Sequence, residues 1–477
     1  MMKTVTSTAP AINSKFNSWS FWLWLYSALS ALICVTVLVT AGLVRHALLI
    51  SEYERLSDKT TQVVIAIAEY PSLVKRTVRE KIFSDKLGPL LMDRKITEQT
   101  NWVRRFPAME DSGYLLFSGV DSMEKKSLVQ LIRIADGHVM AHWNPDWVVI
   151  NDRTSNKKWG EKGNANYLRA VHPLLLVNSD IIFNTGAALV RVSRCSSKPV
   201  FVLDQLMHHS VDIDENGLTL WGPSVAQDGL AENEYLNKTI RDDSLAHVSI
   251  DGQLLENRSF SRILNDNGLQ AMLLGHFGLA FNNDPIHMNE IRVAKQDSRY
   301  WLRGDLLISS RNLSTLFLYR PSTNKILWHQ TGPWMNQHSA DFVDDHRISV
   351  FNNNVVNPLP AEHMFMTPGD TNRVMVYDFD TAQVTEPFAA LLAVARPITM
   401  TAGRARLLPD GGLFLEETEK GRHLRFTADR LLWSRINDYD DKRIGMVSWS
   451  RYLTADEASE PLRTINAQHC KPTKANP

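Results

Sequence analysis

Apolar and polar positions follow three successive patterns along the chain. The first is a run from Phe21 to Val44 without a charged residue. As a helix it would reach about 36 Å at roughly 1.5 Å per residue, enough to cross a bilayer with some tilt. It is too long for the apolar part of an ordinary cleavable signal, and no clear small-residue cleavage site follows it. The second pattern extends from His46 to about Phe83, where apolar residues such as Leu49, Tyr53, Leu56, Val63, Ile67 and Tyr70 recur mostly every three or four positions. That spacing predicts two amphipathic helices, interrupted at Pro71. Residues 84 to 110 are charged and mixed and read as a linker. After Ser112 the third pattern begins, short alternating runs separated by turns, and it predicts an all-β domain.

Six units can be counted in that domain, opening near Gly113, His172, His209, His287, His338 and Gly403. Many contain an apolar strand, a polar turn and a second strand ending in tryptophan, as at Trp143, Trp328 and Trp433. These tryptophans read as packing residues that bury large aromatic surface. The units are irregular in length, which a propeller accommodates with long loops between blades.

Charge narrows the partners. Lys+Arg and Asp+Glu both number 52, so nothing in the balance invites nucleic acid or an anionic surface. The residues before the apolar run carry Lys3 and Lys15 and no acid, which predicts a cytoplasmic amino terminus and a main domain on the far side. Trp19, Trp22, Trp24 and Tyr26 cluster at the start of the run, where amphipathic rings favour the headgroup level. Of three cysteines, Cys34 falls in the apolar run. Cys195 and Cys470 either pair, as an oxidising compartment permits, or remain two free thiols.

The chemistry concentrates in DPIHMNEI (Asp284 to Ile291), GDLLISSRNLS (Gly304 to Ser314) and ILWHQTGPWMNQHSADF (Ile326 to Phe342), which hold His287, Asn289, Arg311, Asn336 and His338. The segments His209-Ser-Val-Asp-Ile, His287-Met-Asn-Glu-Ile and His338-Ser-Ala-Asp-Phe align, with His172 and Gly403 in the same slot. A residue that recurs just before an apolar strand in each unit of a ring comes to lie around the axis. Asp212, Glu290 and Asp341, three residues further on, read as hydrogen-bond partners at the strand starts.

The set HHSVDIDENG, DPIHMNEI, LLISSRNLS, GPWMNQHS and RARLLPDGGLFLEE resembles the bacterial aryl-sulfate sulfotransferases over about residues 110 to 450. The resemblance implies a six-bladed β-propeller and sulfuryl transfer from an aryl sulfate to a phenolic acceptor through a sulfated histidine. His338 matches the family's nucleophile, and a neutral imidazole suits that task because its sulfated form is a reactive cation. Arg311 supplies fixed positive donors for the sulfuryl oxygens. His287 and Asn289 match residues that hold the sulfuryl group, and His209 matches one placed to move a proton at the phenolic oxygen. His208, the other member of the pair, and Asn336 are expected to line the substrate. No cofactor and no metal is expected, and the lack of a phosphate-cradling glycine-rich loop agrees with a donor other than the nucleotide PAPS.

The expected organisation is a cytoplasmic tail over 1–20, a transmembrane helix over 21–44, a helical stalk and linker over 45–110, the propeller over 111–460 and a tail over 461–477. The protein is expected as a single-pass protein of the bacterial inner membrane with its propeller in the periplasm. Three rival readings exist. A quinone-dependent dehydrogenase propeller needs an Asp and a Gly that RPSTNKILW lacks. A zinc or copper site built from the histidines is opposed by Arg311. A membrane-tethered propeller that only binds a ligand or partner is the main alternative. The chain departs from better-known members of that family in having a membrane helix and helical segment instead of an amino-terminal β-sandwich, and in loops such as Pro223 to Ser244.

Overall fold

The structure is a computed structural model that describes residues 18–49, 90–93, 102–104, 110–155, 165–226, 241–275, 284–356, 365–367, 369–468 and 470. The chain divides into two compact units, Met1–Phe83 and Ser84–Pro477.

In the first unit α1 (Ser18–Leu49) encloses the charge-free run. Its stretch Trp22–Thr40 is long and apolar enough to cross a membrane and lies exposed. The hydroxyls of Thr36 and Thr40 bond back to the carbonyls of Leu32 (2.8 Å) and Thr36 (2.7 Å), so neither is left bare on the apolar surface. The amphipathic helices expected as far as Phe83 lie, beyond Leu49, outside the described residues.

The second unit is a six-bladed β-propeller of antiparallel sheets. Blade II runs from its inner strand Val171–Leu175 to Pro199–Leu203, blade III from Asp212–Ile213 to Leu254–Ser259, and blade IV from Met288–Val293 to Lys325–Thr331. Blade V runs from His338–Phe342 to Gln383–Thr385, and blade VI from Arg404–Leu407 to Leu431–Ile436. Blade I spans Tyr114–Asp121 to Val139–Trp143, but its inner strand, Arg451–Leu453, comes from near the other end of the chain. Arg451, Tyr452 and Leu453 pair with Leu116, Leu115 and Tyr114. The unit read as opening at Gly113 therefore opens on a second strand, and its first strand lies more than 300 residues away in sequence, a pairing that local periodicity does not reveal. Gly113 is small because Tyr452 lies across it: a Cβ there would stand 2.2 Å from the tyrosine hydroxyl.

Burial explains the strand patterns. Leu306–Ser310 of blade IV is buried on both faces, whereas the outermost strand Lys325–Thr331 alternates strictly. Six apolar clusters sit between adjacent blades and close the ring. Trp143 joins Phe183 between blades I and II, and Trp433 joins Phe117 between VI and I, so the strand-ending tryptophans pack blade against blade.

Two short strands from the segment expected as a linker join the propeller: Leu91–Asp93 pairs with Arg443–Gly445, and Trp102–Arg104 forms a fifth strand on blade VI. After the closing strand, α2 (Ala455–Ala467) begins with a capping box between Thr454 and Glu457 and packs Ile465 into the core between blades I and II. This helix runs through the boundary expected at residue 460. Cys470 then forms a disulfide with Cys195, 275 residues away.

Candidate active site

Every inner strand carries a left-handed residue at or just before its start: His172 (φ 51°), His209 (57°), His287 (47°), Ser339 (50°), Gly403 (125°) and Trp449 (58°), with a second in blade V at Asn336 (51°). Such a conformation costs a non-glycine residue roughly 1–2 kcal/mol, so its recurrence in all six blades marks a shared turn onto the axis. The expected slot is thus real, with two corrections. In blade V it is occupied by Ser339, and His338 precedes it, paired in the ladder with Phe351. The sixth occupant, Trp449, escaped sequence reasoning because it lies on the closing strand's approach.

His209 stands at the centre. Its ring centroid is 5.0 Å from that of His208, 5.1 Å from His287, 6.3 Å from His338 and 6.4 Å from Trp449. His172 stacks on Trp449 at 4.9 Å. The structure thus brings His208, His209, His287 and His338 together, and places His172 one ring further along.

Hydrogen bonds assign the tautomers. Nε2 of His208 lies 3.3 Å from both the Ser224 carbonyl and an Asp243 carboxylate oxygen, so it carries the proton and donates. Nδ1 of His208 must then accept from Nδ1 of His209, 2.8 Å away, which leaves Nε2 of His209 as a bare lone pair. The same logic fixes His338. The Asn353 amide nitrogen donates to the carbonyls of Ala402 (2.7 Å) and Thr399 (3.2 Å), so its oxygen accepts from Nδ1–H of His338 at 2.7 Å. Nε2 of His338 is unprotonated, buried, and without a hydrogen-bond partner among the described residues.

Burial pushes the His338 imidazole down to about 3, with the neighbouring Arg311 charge adding to the fall against the pull of Asn353. Burial likewise lowers His208 and His209, the latter further depressed by the surrounding histidines. All three imidazoles are therefore neutral at pH 7. Arg311 sits in the turn after Leu306–Ser310, its amide bonded to the His287 carbonyl at 3.0 Å. Its guanidinium is buried, lowered by that burial against the pull of Asp284 and Glu419.

His287 is held differently. Its Nδ1 lies 2.5 Å from Asp284 Oδ2, and Arg241 stands 3.9 Å from the same carboxylate. Burial raises the Asp284 carboxyl, but the His287 hydrogen bond and the nearby positive charge outweigh it and hold the group at about 2. Asn289 donates to the Gln337 carbonyl at 2.6 Å and so pins the residue preceding His338. Asn336 donates to the Val355 carbonyl at 2.8 Å, another backbone contact. A cavity of about 250 Å³ opens beside His208 and His209, walled by Tyr167, Arg169, Arg241 and Trp449.

Sequence reasoning missed Asp243, Asp284, Asn353 and Trp449. Asp284 lay within the quoted DPIH, three residues before His287, and Asn353 sits in the conspicuous run Asn352-Asn353-Asn354. Among the described residues a metal-ligating arrangement of acids and histidine occurs at Asp344, Asp345 and His346, in a turn of blade V.

His208, His287 and His338 gather around His209 at one mouth of the six-bladed propeller, with the buried Arg311 charge acting on His338. The family model described as Arylsulfotransferase (ASST) matches residues 178–437, more than half of the chain, and the protein belongs to that family. Membership supports sulfotransferase function. No curated protein matches the sequence. Among solved structures, a protein of unknown function from Bacteroides caccae is similar at 10% identity, over 72% of this chain and 99% of that one, with a TM-score of 0.43. TolB from Acinetobacter baumannii (10%, 72% and 67%, 0.41) and the Kuenenia stuttgartiensis hydrazine synthase (7%, 71% and 80%, 0.37) are also similar. These likenesses carry no argument about function.

Proposed function

We propose that the protein transfers a sulfuryl group from an aryl sulfate to a phenolic acceptor, without PAPS, in two steps through sulfo-His338. One observation carries this reading: Nε2 of His338 is a buried, unprotonated lone pair with no hydrogen-bond partner among the described residues, fixed by Asn353 and set beside Arg311.

In the first step Nε2 attacks sulfur, and the bridging S–O bond breaks with its electron pair going to the phenolate oxygen. Arg311 neutralises charge on the non-bridging oxygens as the bond breaks. His287, with one proton held against Asp284, takes a second from solvent and delivers it at Nε2 to the departing oxygen. In the second step the acceptor phenol gives its proton to Nε2 of His209 and its oxygen attacks sulfur. The S–N bond breaks, its pair returns to His338, and His209 releases its proton to solvent. Asn289 and His208 act as positioning residues for His338 and His209, and Asn336 orders the approach to His338. The cavity beside Trp449 takes the aromatic body.

We place the propeller in the periplasm, anchored by α1 with the amino terminus in the cytoplasm. Lys3 and Lys15 before the helix and the Cys195–Cys470 disulfide, which suits an oxidising compartment, support this.

Brief exposure of the detergent-solubilised full chain to para-nitrophenyl sulfate, followed by intact mass spectrometry, tests the mechanism. Wild type gains one sulfuryl group, about 80 Da, as a covalent intermediate, and His338→Asn gains none. An adduct of equal yield on both overturns the assignment. Neither adduct nor nitrophenol release from any of a panel of aryl sulfates would favour the binding propeller instead.

A further inference from the structure

A second cavity of about 640 Å³ is walled by the far ends of some inner strands, at Leu175, Val293 and Phe342, and by Arg404 and Arg451 at the starts of theirs. His287 and Arg292 mark the two ends of one such strand, about 16 Å apart at roughly 3.3 Å per residue. The far cavity is built around guanidiniums from three different blades: Arg292, Arg404 and Arg451.

Among the described residues, Arg292 alone of the three lies within ion-pair distance of a carboxylate, although Glu290 also attracts Arg404 and Arg451. Arg292 lies 3.2 Å from Glu290, 3.4 Å from Asp212 and 3.7 Å from Asp341. Among the described residues, neither Arg404 nor Arg451 forms an ion pair with a carboxylate. Arg404, 3% exposed, meets Nδ1 of His172 at 3.1 Å. Arg451 donates to the carbonyls of Pro173 (2.6 Å) and Val211 (2.8 Å). Both residues line the cavity. Two buried cations beside a third are costly unless something neutralises them. Burial, followed by repulsion from Arg292, pulls Arg404 down to about 10.

We infer that this cavity binds an organic oxyanion, a carboxylate, sulfonate or sulfate ester, with its head between Arg404 and Arg451. Leu175, Phe342 and Tyr452 line the same cavity and supply apolar wall for the body of the ligand. Six carboxylates, Asp212, Asp297, Asp341, Asp344, Asp345 and Glu457, also line it and disfavour a second negative group. The ligand is therefore a monoanion with a neutral or cationic far end, and no bond is made or broken in binding it. This site is separate from the histidine cluster and does not depend on sulfuryl transfer there.

The probe is para-bromobenzenesulfonate, which has no ester oxygen to lose and so cannot sulfate His338. Soaked into crystals of the full chain, its bromine should give an anomalous peak in the far cavity, with the sulfonate on Arg404 and Arg451. By calorimetry, Arg404→Gln should weaken the far-cavity binding at least tenfold, Arg311→Gln should leave it within twofold, and benzenedisulfonate should bind more weakly than the monosulfonate. Should Arg404→Gln fail to fold, Leu175→Trp fills the wall without touching a charge and must abolish the same binding event. Bromine found only at the histidine mouth or nowhere, an unchanged affinity in both far-cavity variants, or inorganic sulfate binding as tightly as the aryl sulfonate would overturn the assignment.

Discussion

Asn353→Leu isolates the feature on which the mechanism depends, because the amide oxygen of Asn353 is the acceptor that fixes the His338 tautomer. In the resting protein that bond joins two neutral groups. When Nε2 takes the sulfuryl group the ring becomes cationic, and the same bond becomes charge-assisted, a class worth roughly 1.5–3 kcal/mol. Losing it in the transition state should lower kcat/KM about 10- to 150-fold at about 1.36 kcal/mol per factor of ten. The substitution also strips the Asn353 donor from the Ala402 carbonyl, whereas the Thr399 carbonyl keeps a bond from Asn372, so stability should fall by roughly 1–3 kcal/mol for the buried group left unsatisfied. The assay is the pre-steady-state burst of nitrophenolate from para-nitrophenyl sulfate, measured where circular dichroism shows the variant folded. The burst itself should slow, since attack by Nε2 is the affected step. Asn353→Asp keeps an acceptor at the same atom and should recover much of the burst rate, while raising the pH at which His338 becomes neutral. A burst of wild-type rate in folded Asn353→Leu would refute the tautomer argument.

Other outcomes follow from the same geometry. His208→Phe removes the partner that fixes the His209 tautomer, and should leave the burst unchanged while slowing turnover with a phenolic acceptor roughly tenfold, less than the roughly hundredfold or more attributed to a positioned base because His209 itself remains. His287→Asn should slow donors with basic leaving phenols far more than para-nitrophenyl sulfate, read as a steeper dependence of burst rate on leaving-group pKa. Because His338 is depressed to about 3, the folded protein binds fewer protons than the unfolded chain between about 6.5 and 3. Stability in denaturant titrations should therefore fall as pH falls through that window and be independent of this group above it. Cys195→Ser frees a crosslink spanning 275 residues and should cost about 2–5 kcal/mol in chemical unfolding of the non-reduced protein.

The blades and the convergence of His209, His287 and His338 were legible in the chain because both rest on local recurrence: alternating strands and a residue repeated just before each inner strand. What was hidden is non-local. Trp449 and Arg451 enter the ring from the closing strand, and no periodic signal links them to Tyr114–Asp121. The one-residue offset in blade V, where Ser339 takes the left-handed turn and His338 falls into the ladder, depends on a local shift in strand register. Asp243 and Asn353 act on histidines distant in sequence, Asp243 by proximity to His208 and Asn353 by its bond to His338, and polar side chains near strand ends are too common for spacing alone to distinguish them. Asn289 also donates to the Gln337 carbonyl, a contact that only the three-dimensional arrangement reveals.

The closing strand also sets an order of events during synthesis. Until Arg451–Leu453 emerges, Tyr114–Asp121 has an open edge, and the ring that brings Trp449 against His172 and His209 is incomplete. A nascent or prematurely terminated chain can build five blades and still lack a finished site. Only after closure does α2 dock and bring Cys470 within reach of Cys195, so the crosslink records that the ring has shut.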